Sequence, residues 1–334
     1  MLNIPRHSQP EPCQIPLNRQ QKTDERSKMI PKIIHFVYVG GRPFSFIHFL
    51  AIYTAWKVNR PETIYLHHTE EPQGDWWRLV RPLLTLNRVP PVEEIYGNPV
   101  QYPAHKADVI RMQMLRRYGG IYLDLDVVSL NPFDPLLDKE FVMGIEPGTG
   151  LCNAVILAQK DASFLEQWQK KYRSFDAKRW NYHSVVLPGQ MAREAPDLIH
   201  LAGKYDFFYP THNDPVCAYL WGEKPPVAAL LTRMGKNLLK LAALMLRRDN
   251  DRIRRSYYQT FHGLRGGEWH FRRASSSYCL HLWEGLWGEP YLKQVTPSYL
   301  QSSASNFARL MRKVLSTKEM ERIARLDPAL CDAA

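Results

Sequence analysis

No run in this chain approaches the roughly 20 apolar residues that a membrane-spanning helix needs. The opening MLNIPRHSQPEPCQIPLNRQQ also lacks the apolar core of a secretory signal, and the expectation is a cytoplasmic protein. Cysteine is scarce. Cys13, Cys152, Cys217, Cys279 and Cys331 are odd in number and scattered, which excludes a zinc site built on close pairs and a disulfide framework, and leaves free thiols. The GxxxxGK[ST] phosphate loop, HExxH, GxSxG and CxxC are absent, as are internal repeats and low-complexity tracts. Acidic residues are outnumbered, 33 against 44 Lys and Arg, for a net charge of +11. Such a balance implies an anionic partner: nucleic acid, an anionic membrane or a phosphate-bearing substrate. No aromatic-interleaved RNA motif or DNA-reading pattern is present, so nucleic acid is not expected.

What is present can fold. With 334 residues, 45% hydrophobic and 12% aromatic, the chain can bury a sizeable core. Residues 1–28, rich in Pro, Gln and charge, read as a poorly ordered leader. KIIHFVYV is a short apolar run ending at Gly40-Gly41, as a buried strand entering a glycine loop would. FSFIHFLAIYTAWKV predicts a helix, ETIYLHHT a strand, DWWRLVRPLLTL a helix weakened at Pro82, and VEEIY a third strand. AHKADVIRMQMLRRYGG reads as a helix stopped by Gly119-Gly120, and IYLDLDVVSL as a strand closed by Asn131-Pro132. FVMGIE and CNAVILAQ continue the strands, DASFLEQWQKKY is a helix N-capped by Asp161, and TKEMERIARL a short helix. Strands alternating with helices predict an α/β, Rossmann-like, mostly parallel sheet that binds its ligand at the strands' carboxyl ends. Residues 230–256 combine Leu and Met at helical spacing with many Lys and Arg. This segment fits a helix lying on an anionic membrane and, equally, a core-packed helix with a solvated basic face.

Asp124 and Asp126 stand two apart at the end of a strand, where both can reach one cation. Their oxygens suit Mg²⁺ or Mn²⁺. In an apolar strand two acidic groups repel each other unless a cation bridges them. Asp108 and Arg111, three apart on the preceding helix, share one face and can hold sugar hydroxyls or simply pair with each other.

The segment ADVIRMQMLRRYGGIYLDLDVVSL resembles the central signature of the retaining glycosyltransferases that carry the sugar-binding DXD motif. That family includes initiating α-mannosyltransferases of fungal N-glycan outer chains, the α-galactosyltransferase of globo-series glycolipids, clostridial glucosylating toxins and bacterial capsule or lipopolysaccharide enzymes. IPKIIHFVYVGG resembles the family's opening strand, CNAVILAQKDASFL the segment after the DXD strand, and FFYP with HLWEGLWG the closing motifs. SVVLPGQM is similar to a Gly-Pro element, with Pro188-Gly189 in reversed order.

The resemblance covers 31 to about 290 apart from the basic insert. It implies a GT-A fold over 29–292, including an insert at about 230–275, and a helical tail over 293–334. It also implies a hexose carried on a nucleoside diphosphate, uridine before guanosine, and a saccharide or lipid-linked acceptor of capsule or lipopolysaccharide type. Asp124 and Asp126 with His281 would hold Mn²⁺ or Mg²⁺, and Asp108 and Arg111 would hold the donor sugar. Tyr38 would stack on the nucleobase, with Val37, Gly40 and Tyr122 beside it. Asn153 would face the sugar, and Trp283 or Trp287 would complete the diphosphate site. Two other readings of the residues stand beside this one: an aspartate-nucleophile phosphohydrolase, whose signature is also Asp-x-Asp after an apolar strand, and a non-enzymatic module docking on anionic membrane, at the cytoplasmic face of the inner membrane, through Arg247, Arg248, Arg252, Arg254 and Arg255.

Overall fold

The computed structural model describes residues 29–212, 215–222 and 266–325, with five helical positions between 227 and 238. The leader expected over 1–28, and the insert apart from those positions and 266–275, lie outside the described residues. No described helix is long and apolar enough to cross a membrane.

The strands are β1 (Ile33–Tyr38), β2 (Thr63–His68), β3 (Thr85–Arg88), the short hairpin β4 (Glu94–Ile95) and β5 (Asn98–Pro99), β6 (Gly120–Leu123), β7 (Val127–Ser129), β8 (Phe141–Glu146), β9 (Gly150–Ala158), β10 (His200–Ala202) and β11 (Cys279–His281). Seven form one sheet in the order β10-β8-β9-β6-β1-β2-β3. Only β9 runs antiparallel, against β6 and β8; the other neighbours are parallel. This is the mostly parallel mixed sheet with flanking helices that the GT-A expectation required. The chain leaves β1 toward β2 and β3, then returns to lay β6 on β1's other side. That reversal makes a crevice outside the carboxyl ends of β1 and β6, where sheets of this kind bind ligands.

Four local expectations need correction. The helix read over DWWRLVRPLLTL stops early: α2 covers Asp75–Val80, Pro82 sits in a 3₁₀ turn, and Thr85–Arg88 departs as β3. Proline's missing N–H and fixed φ end the helix there. VEEIY supplies only β4, in the small hairpin. Asp161 does not cap its helix: α4 (Ser163–Lys171) has Ala162 at the N-cap, and Asp161 turns to φ +57. IYLDLDVVSL is not one strand. It breaks after Leu123, and β7 leaves the main sheet to pair antiparallel with β11.

Helix α1 (Phe46–Asn59) has apolar residues on most sides because most of it is buried, between the sheet and the tail helices α8 (Pro297–Ser302), α9 (Asn306–Val314) and α10 (Thr317–Arg325), with Trp56 left exposed. On one side Thr54 Oγ1 accepts from the Ser129 amide at 3.0 Å, and Asn59 accepts from the Phe133 amide at 3.1 Å. On the other, Tyr53 donates to Glu319 at 2.9 Å, and Lys57 pairs with Glu319. The opposite face of the sheet is covered by α3 (Pro103–Tyr118), α4 and α5 (Leu187–Glu194), with Trp168, Tyr172 and Leu115 fully buried.

A polar chain crosses the interior of the parallel strands. Gly119 carbonyl can only accept, so His35 Nε2–H donates to it at 2.8 Å. His35 Nδ1 then accepts from His67 Nε2–H at 2.9 Å, and His67 Nδ1 accepts from Asn87 at 2.8 Å. Both rings are neutral, because a second proton on either would set two donors face to face. Burial holds His35 down to about 4 and His67 to about 3. Both lie below the unfolded value near 6.5, so this contribution to stability is complete above about pH 6.5 and is lost as pH falls toward 4. Each histidine should contribute a slope of up to ~1.4 kcal/mol per pH unit. Urea midpoints measured from pH 7 to 4 should fall more steeply for the native chain than for His67→Gln; equal slopes would contradict the neutral relay.

Candidate active site

The site is assembled where β6 ends. Gly119 and Gly120 have φ of +65° and +110°, and a Cβ on Gly120 would stand 2.5 Å from the Ile33 carbonyl. Only glycine lets β6 leave α3 so close to β1. Four residues later the chain turns through Asp124-Leu125-Asp126, so both carboxylates stand on a turn at the strand end rather than within it.

Asp126 is gripped from the closing segment. The Glu284 amide donates to Asp126 Oδ2 at 2.8 Å, and the Leu282 amide to the Asp126 carbonyl at 2.9 Å. Trp283, with φ +48, sits between these two donors in a left-handed conformation at the start of α7 (Glu284–Trp287), which follows α6 (Gly267–Ser275). Glu284 is itself held. The Ser45 amide donates to His48 Nδ1 at 3.1 Å, so His48 Nε2–H faces Glu284 Oε2 at 3.1 Å. The N-terminus of α1 thereby orients the peptide that holds Asp126.

His281 Nε2 lies 3.3 Å from Asp126 Oδ1, while His281 Nδ1 is buried and has no hydrogen-bond partner among the described residues. One ligand atom each from Asp124, Asp126 and His281 fall within 4.8 Å of one another. Two carboxylate oxygens and an imidazole gathered this closely form a donor set whose chemistry fits Mn²⁺ or Mg²⁺. Burial opposes ionisation of Asp126, but the charge and hydrogen bond of His281 and the Glu284 amide hold its carboxyl down at about 2. Burial likewise disfavours the charged ring of His281, and Asp126 more than offsets it, raising the imidazole above its ordinary value.

Beside this cluster a buried network forms around Arg111. Its Nη2 lies 3.2 Å from both Asp108 Oδ1 and Asp124 Oδ1, Nη1 donates to the Asn153 carbonyl at 2.8 Å, and the guanidinium covers the Tyr122 ring at 4.4 Å. Asn153 Nδ2 donates to Asp108 Oδ1 at 2.7 Å, and the Tyr122 hydroxyl donates to Asp124 Oδ1. Burial pushes the Asp108 carboxyl up, against the pull of Arg111 and Asn153. Burial also disfavours the charge on Arg111, but Asp124, Tyr122 and Asp108 raise its pKa overall. The network and the Asp-Asp-His cluster share one cleft of about 630 Å³.

Residues 50–143 match a family described as the glycosyltransferase sugar-binding region containing the DXD motif. Glucan organizing enzyme 1 of Cryptococcus neoformans var. grubii is 30% identical over 328 residues, 93% of this chain and 77% of that protein. The chain belongs to this DXD glycosyltransferase family. Inositol phosphoceramide mannosyltransferase 3 of Schizosaccharomyces pombe is 38% identical over 86 residues, which is 26% of this chain and 23% of that protein. Among solved structures, the PaToxG glycosyltransferase matches 52% of this chain and 76% of its own, at 19% identity and a TM-score of 0.38. Membership in a transferase family sets aside the phosphohydrolase reading.

In this glycosyltransferase Asp108, Arg111, Asp124, Asp126, Asn153, His281 and Trp283 all line the one cleft. The Trp283 ring lies 4.0 Å from that of His281, centroid to centroid. Tyr122 is buried, with its hydroxyl on Asp124. Others stand elsewhere. Val37 is buried in β1, and the Tyr38 ring packs into the core against Phe44 while its hydroxyl donates to the Arg42 carbonyl. Gly40 turns at φ +85 beside Glu70. Trp287 is buried against Trp221 and Tyr291, away from the cleft lining. Pro188 and Gly189 fall in α5, where Gly189 packs on Gly150.

Sequence reasoning passed over Glu146, Tyr102, His105, Trp180, His212 and Glu284, all of which line the cleft. Glu146 carried a readable signal, an acidic residue closing the apolar strand FVMGIE just as the Asp pair closes its own. A second cavity of about 660 Å³ opens at the carboxyl ends of β1, β2 and β3, lined by Val39, Thr69, Glu70, Arg88, Val89 and Lys106 among others.

Proposed function

We propose that this glycosyltransferase moves a hexose from a nucleoside-diphosphate sugar to a saccharide or lipid-linked acceptor, with retention of anomeric configuration and with Mn²⁺ or Mg²⁺ held by Asp124, Asp126 and His281. The observation that carries the reading is the meeting, in one cleft, of a cation-type donor set and a buried Arg–Asp–Asn network able to hold hydroxyls. The names of relatives that transfer mannose to inositol phosphoceramide support a lipid-borne acceptor.

When bound, the ion supplies Lewis-acid neutralisation of the diphosphate leaving group. The chain's own groups do the rest. Asp126 is kept ionised and aimed by the Glu284 amide, and that amide is fixed through Glu284 and His48. Asp124 is held by Arg111 and Tyr122, so the two carboxylates stay close despite their mutual repulsion. Asp108 gives one oxygen to both Arg111 and Asn153, and its other oxygen has no partner among the described residues, so it suits a sugar hydroxyl. The cavity ending β1–β3, with Arg88 and Lys106 at its walls, suits the nucleoside half of the donor. Preorganised groups of this kind act by positioning and by charge, and retention through same-face attack needs no protein nucleophile.

The test is nucleoside diphosphate release from a panel of uridine and guanosine diphosphate hexoses in Mn²⁺, with the product's anomeric configuration read by NMR. Release from one donor, abolished by EDTA and giving the α product from an α donor, is the expected result. An inverted product would overturn the retention, and EDTA-resistant release would overturn the metal.

A further inference from the structure

Ten large hydrophobic side chains are exposed among the described residues, and three of them, Tyr102, Trp180 and Leu286, line the catalytic cleft. Trp180 is 59% exposed and Tyr102 46%. Exposed apolar surface concentrated at a cleft marks a binding site more often than a scattered surface leucine does. These two rings are also fixed in place. His105, itself buried, donates from Nε2 to the Trp180 carbonyl at 2.9 Å and packs against the indole at 5.0 Å. Tyr102 meets the same indole edge-on at 5.5 Å, and Phe175 backs His105. The next residue, Asn181, accepts from the Val185 and Val186 amides at 2.9 and 3.2 Å, which anchors the loop to the helical turn behind it. An indole held rigid yet left more than half open is preorganised for a flat partner and loses little entropy on binding one.

Resting on the glycosyl-transfer reading above, we propose that Trp180, with Tyr102 at its edge, is the platform on which a pyranose ring of the acceptor saccharide stacks. Pyranoses present a face of C–H groups to an aromatic ring while their hydroxyls stay hydrated at the rim. The donor does not need this surface. Its hexose has the polar network at Asp108, Arg111 and Asn153, and its nucleoside has the separate cavity at the ends of β1–β3. The platform stands in the same cleft as that polar network and the Asp-Asp-His cluster, so a sugar stacked on it is delivered to the reacting centre. Leu286, 58% exposed in the same lining, adds apolar surface for a sugar's C–H face or a lipid-linked stem.

The experiment compares the native chain with Trp180→Ala and Trp180→Phe. Nucleoside diphosphate release from the preferred donor is followed against rising concentrations of methyl hexosides and di- and trisaccharides of mannose, galactose and glucose. Binding of the same saccharides is measured separately by saturation-transfer NMR, which needs no turnover. At least one saccharide should bind and speed release. Trp180→Ala should raise its half-saturating concentration at least about tenfold more than it raises the donor KM, and Trp180→Phe should recover most of the loss. Equal saccharide dependence in native and Trp180→Ala would overturn the platform. So would a rise confined to the donor KM, which would make Trp180 a donor contact, or the absence of saccharide binding to the native chain. Failure of the transfer reading itself would show differently, as no donor turnover by the native chain with saccharide binding intact.

Discussion

Arg111→Ala is expected to destabilise the fold by about 3–5 kcal/mol and to remove transfer activity altogether. The guanidinium is buried and stands 3.2 Å from two carboxylates, Asp108 and Asp124. Its removal leaves two acidic groups side by side with no cation between them, and strips the Asn153 carbonyl of its 2.8 Å donor. An unpaired buried charge and an orphaned carbonyl are each strongly unfavourable. Lysine should not rescue it, since a point charge cannot reach Asp108, Asp124 and Asn153 at once as the planar fork does. Removing the repulsion should help: Asp108→Asn combined with Arg111→Met should regain part of the lost stability but none of the activity. Urea unfolding of the three variants measures this. A loss below about 1 kcal/mol in Arg111→Ala would mean that the network contributes little to the fold.

Asp126→Asn should behave in the opposite way, folding normally and transferring at least about 10³-fold more slowly. The amide keeps the shape of the carboxylate and can still accept from the Glu284 amide, so the closing segment remains docked. What disappears is the negative charge, which in the native chain persists down to about pH 2 because His281 and the Glu284 amide favour it over the opposing effect of burial. An uncharged side chain is a poor ligand for a hard divalent ion.

Much of this site was legible in the sequence because it is local. Asp108 and Arg111 are one helical turn apart, Gly119-Gly120 follows that helix directly, and Asp124 and Asp126 come within six residues of the glycines. Spacing alone brings them to one sheet end. The mostly parallel sheet was legible for the same reason, from apolar runs separated by helical patterns. The rest depends on residues far apart in the chain. Nothing around His48 announces that its ring fixes Glu284, 236 positions away, and thereby Asp126. His35 and His67 each read as a stray polar residue in an apolar strand, and only the parallel register of β1 and β2 joins them. Tyr38, expected at the nucleobase, packs its ring beside Phe44 while its hydroxyl donates to the Arg42 carbonyl, contacts that its place in an apolar strand does not announce. Pro82 reads as a weak point in a helix yet marks the helix's end, since the edge strand Thr85–Arg88 is too short to show a period of its own.

The role of the bound cation is tested most directly by metal-dependent nucleoside diphosphate release, measured side by side for the native chain and Asp126→Asn in Mn²⁺ and in EDTA, with matched thermal stabilities. The native chain should show turnover that Mn²⁺ restores after chelation, and the variant none above background at any metal concentration. Equal release from both proteins, or release indifferent to EDTA, would contradict a cation held by Asp124, Asp126 and His281 as the centre of the chemistry.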